Sequence, residues 1–213
     1  MSDRSAAAAL EPEPAEGGKA ARILDAARRV FMADGYGEAN MDAIAKAAGV
    51  SKATVYAHFS GKDQLFAAII GQQCKLHSEA LAVENFESMS PEAALKLIGR
   101  AFAEHVLSPQ VLGLYRIVVA ETARFPELGR TLYESGPLRA LGRLAEYLQR
   151  LTDRGLLDVP EPHIAARQFF GMIRSDFYLR RLFGISDATV GISIEQMVDS
   201  SVQMFVRAYA KRD

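Results

Sequence analysis

Between Asn40 and Asp63 the chain reads NMDAIAKAAGVSKATVYAHFSGKD, two short stretches of helical apolar spacing separated by a glycine, and that pattern leaves room for little except two helices meeting at a sharp corner. In the first, Met41, Ile44, Ala45 and Ala48 share a face, Asn40 stands at the N-cap position, and Asp42 lies in the first turn, where the helix dipole favours an acid. Gly49 supplies the positive φ the corner needs, Val50 can fill the angle, and Ser51 can cap the second helix. In that second stretch, from Lys52 to Phe59, Val55 and Phe59 fall together while Ala53 and Ala57 occupy the opposite face. A helix face turned merely to water would carry charges, whereas alanines let the backbone approach another surface closely. Lys52, Thr54, Tyr56 and His58 flank those alanines and can donate to phosphates and base edges. Ser60-Gly61-Lys62-Asp63 then resembles a capping box, whose open N–H groups and Lys62 ammonium suit a DNA phosphate. The unit has the form of a helix-turn-helix, in which the second helix enters the major groove.

The agreement extends further. The run from Ile23 to Phe66, with Phe31, Gly35, Met41, Ile44-Ala45, Ala48-Gly49-Val50-Ser51, Thr54-Val55-Tyr56, His58-Phe59, Lys62 and Leu65-Phe66, resembles the DNA-binding domain of the TetR/AcrR family of transcriptional regulators. Farther along, Arg124-Phe125-Pro126-Glu127-Leu128, Tyr133 to Pro137, Gly155-Leu156-Leu157 and Ala165 to Phe169 resemble the regulatory domain of AefR-like repressors. The resemblance implies a homodimer built through two late helices of each subunit, a double-stranded DNA operator of palindromic form, and release by a small hydrophobic or amphipathic effector.

Charge supports the placement of the DNA-reading unit without advertising it globally. The chain's 25 basic and 26 acidic residues leave a net charge of −1. From Lys19 to Lys62, however, seven basic residues (Lys19, Arg22, Arg28, Arg29, Lys46, Lys52, Lys62) face four acidic ones (Asp25, Asp34, Glu38, Asp42). Arg22, Arg28 and Arg29 are expected to be solvated or near phosphate. Cys74 is the sole cysteine, so no internal disulfide can form, and its apolar neighbours suggest packing. No apolar run approaches the roughly 18 residues of a membrane span, and the N-terminus has no basic region followed by a long apolar core, so a cytoplasmic protein is expected. His77, His105 and His163 lack the paired spacing of a metal site. Without a glycine-rich phosphate loop, paired carboxylates or a nucleophile-base order, neither a cofactor nor an enzyme is expected.

The expected fold class is all-α, an N-terminal three-helix DNA-binding domain followed by a helical bundle. Residues 1–18, rich in Ala, Glu and Pro, are expected to be a disordered tail, residues 19–64 the DNA-binding domain, and residues 65–213 the ligand-binding and dimerisation domain. Helices are predicted over Lys19 to Asp34, Lys62 to about Phe86, Pro91 to Leu107, Ser108-Pro109 to about Arg124, Glu127 to Ser135, Pro137 to about Arg154, Pro162 to Phe183 and Ile194 to Lys211. The last carries Met197, Val198, Val202, Phe205, Val206 and Tyr209, a stripe wide enough to suggest a subunit interface. Phe102, His105, Tyr115, Phe125, Phe170, Arg174 and Tyr178, large or polar groups on otherwise apolar helices, are the candidate lining of a ligand pocket. Two alternatives remain beside the ligand-responsive repressor: a DNA-binding regulator with no small effector, and a helical enzyme or adaptor.

Overall fold

The computed structural model describes residues 16–80, 86, 88–187 and 191–211, with the side chains of residues 16, 17 and 73–80 outside that description. Ten helices occur among the described residues and no strand. Helix α1 is Glu16–Glu38, α2 Met41–Ala48, α3 Lys52–His58 and α4 Lys62–Ala80. Helix α5 is Pro91–Val106, α6 Pro109–Glu121, α7 Pro126–Ser135, α8 Pro137–Asp153, α9 Pro162–Leu182 and α10 Ile194–Ala208. The expected tail at residues 1–15, the far end of the long fourth helix beyond Ala80, and the surroundings of Cys74 and His77 lie outside the described residues.

Local chemistry sets most of the boundaries. Helices α5 to α9 each have proline in the first turn, where its missing N–H costs nothing and its fixed φ suits the helix. Ser51, Ser90, Ser108 and Ser193 cap α3, α5, α6 and α10 by accepting from the backbone N–H three residues on, and Gln196 completes a capping box with Ser193. Asn40 caps α2 at 2.9 Å from the Ala43 N–H, and Gly49 ends it in the left-handed conformation at φ 66°. One boundary has no such marker. Helix α9 is broken at Ser175, whose φ of 39° and ψ of −150° no alanine-like residue adopts without strain, so the single helix predicted there is two helical stretches.

Two apolar cores hold the chain together. The first gathers Ile23, Ala27 and Phe31 of α1, Ile44 of α2, Val55 of α3 and Leu65, Phe66 and Ile69 of α4, all at most 1% exposed, and then continues into Leu114, Ile117 and Val118 of α6 and Leu128 and Leu132 of α7. Truncating a buried phenylalanine such as Phe66 to alanine costs on the order of 3–5 kcal/mol. Packing therefore crosses the expected division at residue 64. The second core joins α5, α8, α9 and α10 through Leu95, Leu148, Phe169, Phe177, Val202 and Phe205, and Tyr115 packs against both cores. Helices α1 and α6 approach closely because α6 has Gly113 where a Cβ would stand 2.2 Å from Met32.

The stripe of α10 is covered more fully than its width suggests. Val198, Val202 and Phe205 are buried, and Met197, Val206 and Tyr209 are half-buried against the second core, leaving Met204 as the large apolar group exposed on that helix. Uncovered apolar surface instead lies at Ile164 and Leu179 of α9 and at Phe183 and Ile185 just after it. Leu138, in the first turn of α8, is exposed as well.

Candidate nucleic-acid interface and cavity

Helix α3 stands on Val55 and Phe59, which are buried, and turns Ala53 and Ala57 outward into solvent. Around that smooth floor the four flanking residues differ in freedom. Tyr56 is 48% exposed. Thr54 is half-buried, its hydroxyl 2.8 Å from that of Ser51. His58, also half-buried, rests beside the Phe59 ring. Lys52 is exposed but bridged to Asp42 of α2 at 2.9 Å, and this hydrogen-bonded carboxylate raises the lysine's pKa.

Lys62 is placed differently from the open phosphate donor that its sequence context suggests. Its ammonium donates to the carbonyls of Tyr36 at 2.8 Å and Gly37 at 3.0 Å, and lies 4.9 Å from the Tyr36 ring centroid. Only one of its three protons remains for a phosphate. At the start of α4 the expected Ser60–Asp63 box gives way to other partners: the Ser60 N–H donates to the Gln64 side chain, and Asp63 accepts from the Tyr36 hydroxyl.

Arg22 and Arg29, expected to be solvated, hold the end of α2. Arg22 donates to the Ala48 carbonyl at 2.9 Å and Arg29 to that of Ala47 at 3.4 Å, where cations meet the negative pole of the helix. Arg28 and Arg29 both pair with Asp25, whose carboxyl is held below the usual range chiefly by its hydrogen bond from Arg28. The excess of basic residues therefore fixes the angle between α1 and α2 as well as supplying surface charge. Sequence spacing could not disclose this, because the acceptors are backbone carbonyls of another helix.

A cavity of about 100 Å³ lies between α5, α6, α8 and α9, closed at one side by Ile70 of α4 and Leu132 of α7. Of the seven expected lining residues it brings together four: Phe102, His105, Tyr115 and Phe170, with the Phe102 and Phe170 rings stacked at 4.0 Å. Burial pushes the His105 pKa down. The other three are elsewhere. Phe125 packs edge-on against Tyr36 at 5.1 Å and so belongs to the first core. Arg174 lies over the Tyr178 ring at 4.0 Å, and Tyr178 turns into the second core against Tyr115. Ser135, Arg143 and Tyr147, which form the opposite wall, are not among the residues expected from the sequence. A signal for the two on α8 exists: Ala140, Arg143, Leu144 and Tyr147 fall at helical spacing on one face of that helix.

Among the described residues no group of three or more His, Cys, Asp or Glu side chains could hold a metal ion, and no helix is long and apolar enough to cross a membrane.

A short helix presented on an alanine floor, set at a fixed angle by its neighbours and joined through a shared core to a bundle with an apolar cavity, defines a helix-turn-helix transcriptional regulator. Residues 23–69 match the domain described as that of bacterial regulatory proteins of the tetR family, and residues 93–211 match the AefR-like transcriptional repressor C-terminal domain. The chain belongs to the TetR family of transcriptional regulators. A TetR-family regulator from Mesorhizobium loti superposes with a TM-score of 0.79 at 32% identity, covering 93% of this chain and 100% of that one. The flavonoid-responsive regulator FrrA gives a TM-score of 0.76 at 34% identity, covering 92% and 100%. The HTH-type regulator SrpR of Pseudomonas putida is 34% identical over 89 residues, 42% of this chain and 40% of that protein. The match spans about half the length of the first curated relatives.

Proposed function

We propose that the protein is a homodimeric repressor that binds a palindromic operator through α3 of each subunit and releases it when a small, mostly apolar effector enters the cavity. The observation that carries this reading is the exposure of Ala53 and Ala57 between Lys52, Thr54, Tyr56 and His58. One such helix reads only a few base pairs, at about 1–3 kcal/mol of discrimination per good bidentate contact, so a genomic site calls for two copies. The exposed Ile164, Leu179 and Phe183 on and after α9 supply apolar surface for that second copy. Effector control is favoured by the place of the cavity, whose wall includes Ile70 of α4 and Leu132 of α7, both of the core on which α3 stands. The flavonoid responsiveness in FrrA's name, at 34% identity across that whole protein, points the same way. Such a repressor works in the cytoplasm, with double-stranded DNA and itself as partners.

Selection of bound duplexes from random DNA tests the reading. The expected result is a two-fold symmetric consensus whose half-sites are about one helical turn or a multiple apart. Replacing Ala57 by leucine should abolish that selection while leaving the melting temperature unchanged, because Ala57 touches no core. A single-chain species in sedimentation, or no preference among duplexes at low salt, would overturn it. An effector that binds the folded state should also raise the melting temperature with concentration.

A further inference from the structure

Resting on the reading that a second copy seats on α9, we infer that Arg116 of α6 is the residue that positions that surface: its guanidinium holds the last stretch of α9, beyond the break at Ser175, to α6.

The break makes such a hold necessary. At Ser175 the backbone leaves helical geometry, so α9 has a first stretch up to Arg174 and a second from Asp176 to Leu182. The first sends Ala165, Phe169 and Ile173 into the second core, where Gly99 of α5 admits Ile173, which would stand 2.8 Å from a Cβ there. The second runs for only about two turns, and a helix that short is not stable alone in water. Yet it carries Leu179, 51% exposed, and leads into Phe183, 70% exposed, and Ile185, apolar groups open to a second copy.

Three ties to α6 and to the end of α5 fix its place. The Nε of Arg116 donates to the Leu182 carbonyl at 2.9 Å, and its Nη2 to the Arg181 carbonyl at 2.6 Å. Carbonyls at a helix end lack partners within the helix and form its negative pole, and the planar guanidinium meets two of them at once. Both lie between Leu179 and Phe183 in the chain, so the fork fixes the backbone that carries these two side chains. Arg181 in turn donates to the Leu107 carbonyl at the end of α5 at 3.1 Å, and Tyr178 meets the Tyr115 ring of α6 edge-on at 5.7 Å. Past the helix end, Gly184 takes the left-handed conformation at φ 74° and the Ile185 N–H donates back to the Arg180 carbonyl at 2.7 Å, so the turn bearing Phe183 and Ile185 follows the held helix. Arg116 is itself exposed and lines neither core nor cavity, so its loss leaves the packing of both intact.

Sedimentation of the full chain over a dilution series tests the assignment, together with amide hydrogen exchange at concentrations that keep each variant dimeric. Arg116→Ala should raise the dimer dissociation constant at least about tenfold and speed exchange over residues 178–187 at least about tenfold, while residues 163–174 exchange as in the natural chain. Arg116→Lys should recover part of both, since an ammonium keeps the charge without the fork. Arg100→Ala, which breaks the Arg100–Glu195 bridge between α5 and α10, should leave the dissociation constant within about twofold. Leu179→Asp tests the underlying surface separately: a dimer that survives it would overturn the seating of the second copy on α9, and this inference with it. A dimer lost with Leu179→Asp but unchanged in Arg116→Ala, or faster exchange that spreads equally through both stretches of α9, would overturn the role of Arg116 alone.

Discussion

Glu121 of α6 accepts a hydrogen bond from the backbone N–H of Gly37 at 3.1 Å, joining residues 84 apart in the chain. The segment Gly35 to Gly37 is gripped from its other side too, since Lys62 donates to the carbonyls of Tyr36 and Gly37 and the Tyr36 hydroxyl donates to Asp63. Burial and that bond to Asp63 push the Tyr36 phenol pKa up, so it remains a donor throughout the working range. The helical bundle and the start of α4, next to the DNA-reading helix, thus meet at Gly37. Movement of α6 or α7 around a ligand has a short physical route to α3 and α4.

Removing the Glu121 carboxylate should loosen that route. Glu121→Ala is expected to cost about 0.5–1.5 kcal/mol in urea unfolding, the value of one hydrogen bond, and to shrink the change in operator affinity that effector produces. An undiminished effector response in the variant would show that Glu121 serves stability alone.

Backbone strain gives a pair of opposite expectations. Gly35 has φ 78° and ψ 168°, a region that glycine alone occupies freely, and an added Cβ would stand 3.2 Å from the Glu121 carboxylate. Gly35→Ala should destabilise the protein by about 1–3 kcal/mol. Ser175→Gly should do the reverse, because Ser175 already bears the positive φ that glycine tolerates, and a gain of about 1 kcal/mol would raise the melting temperature by about 2–4 °C.

Lys62 joins two roles that one variant separates. Lys62→Ala should lower stability through the two carbonyls left without a donor, and should also reduce the salt dependence of DNA binding by about one unit of slope, with similar losses on operator and random duplexes. A loss of stability with an unchanged slope would assign the lysine to the Tyr36–Gly37 tie and remove it from the DNA contacts.

On α3 itself, Asp42 competes with DNA phosphate for Lys52. Asp42→Asn is expected to tighten binding to every duplex a few-fold at low salt, measured by fluorescence anisotropy, since it frees a cation and removes an acid from the approach. Tyr56→Ala should behave oppositely in specificity, costing about 1–3 kcal/mol on the operator and less on random DNA. Equal losses on both would return Tyr56 to a structural role.

His105 sets an expected pH dependence. Its ordinary pKa of 6.5 applies in the unfolded chain and burial lowers it in the folded one, so below that value the unfolded state binds the extra proton first. The stability His105 contributes is fully present above about pH 6.5 and declines as pH falls through the folded pKa. Urea titrations between pH 7.5 and pH 5, roughly the histidine range, should show this decline, and His105→Gln should flatten it.

The corner at Gly49, the caps at Asn40 and Ser51, the outward Ala53 and Ala57, and helix starts at Pro91, Pro109, Pro137 and Pro162 are all legible in the sequence, and the structure contains each of them. These features act within a few residues, so local spacing suffices to read them. The break at Ser175 escapes such reading because neither glycine nor proline marks it. Three of the seven expected cavity residues lie elsewhere because helical periodicity tells which face is buried without telling what it is buried against.

By itself the sequence determined the helices, their ends and the surface the reading helix presents, since caps, proline and apolar period are short-range chemistry. Only the tertiary structure decided that Phe125 packs on Tyr36, that Lys62 is tied to the end of α1, and that Arg143 and Tyr147 line the same cavity as Phe102. Those partners meet through the packing of whole helices, whose distances and angles depend on contacts summed along the entire chain.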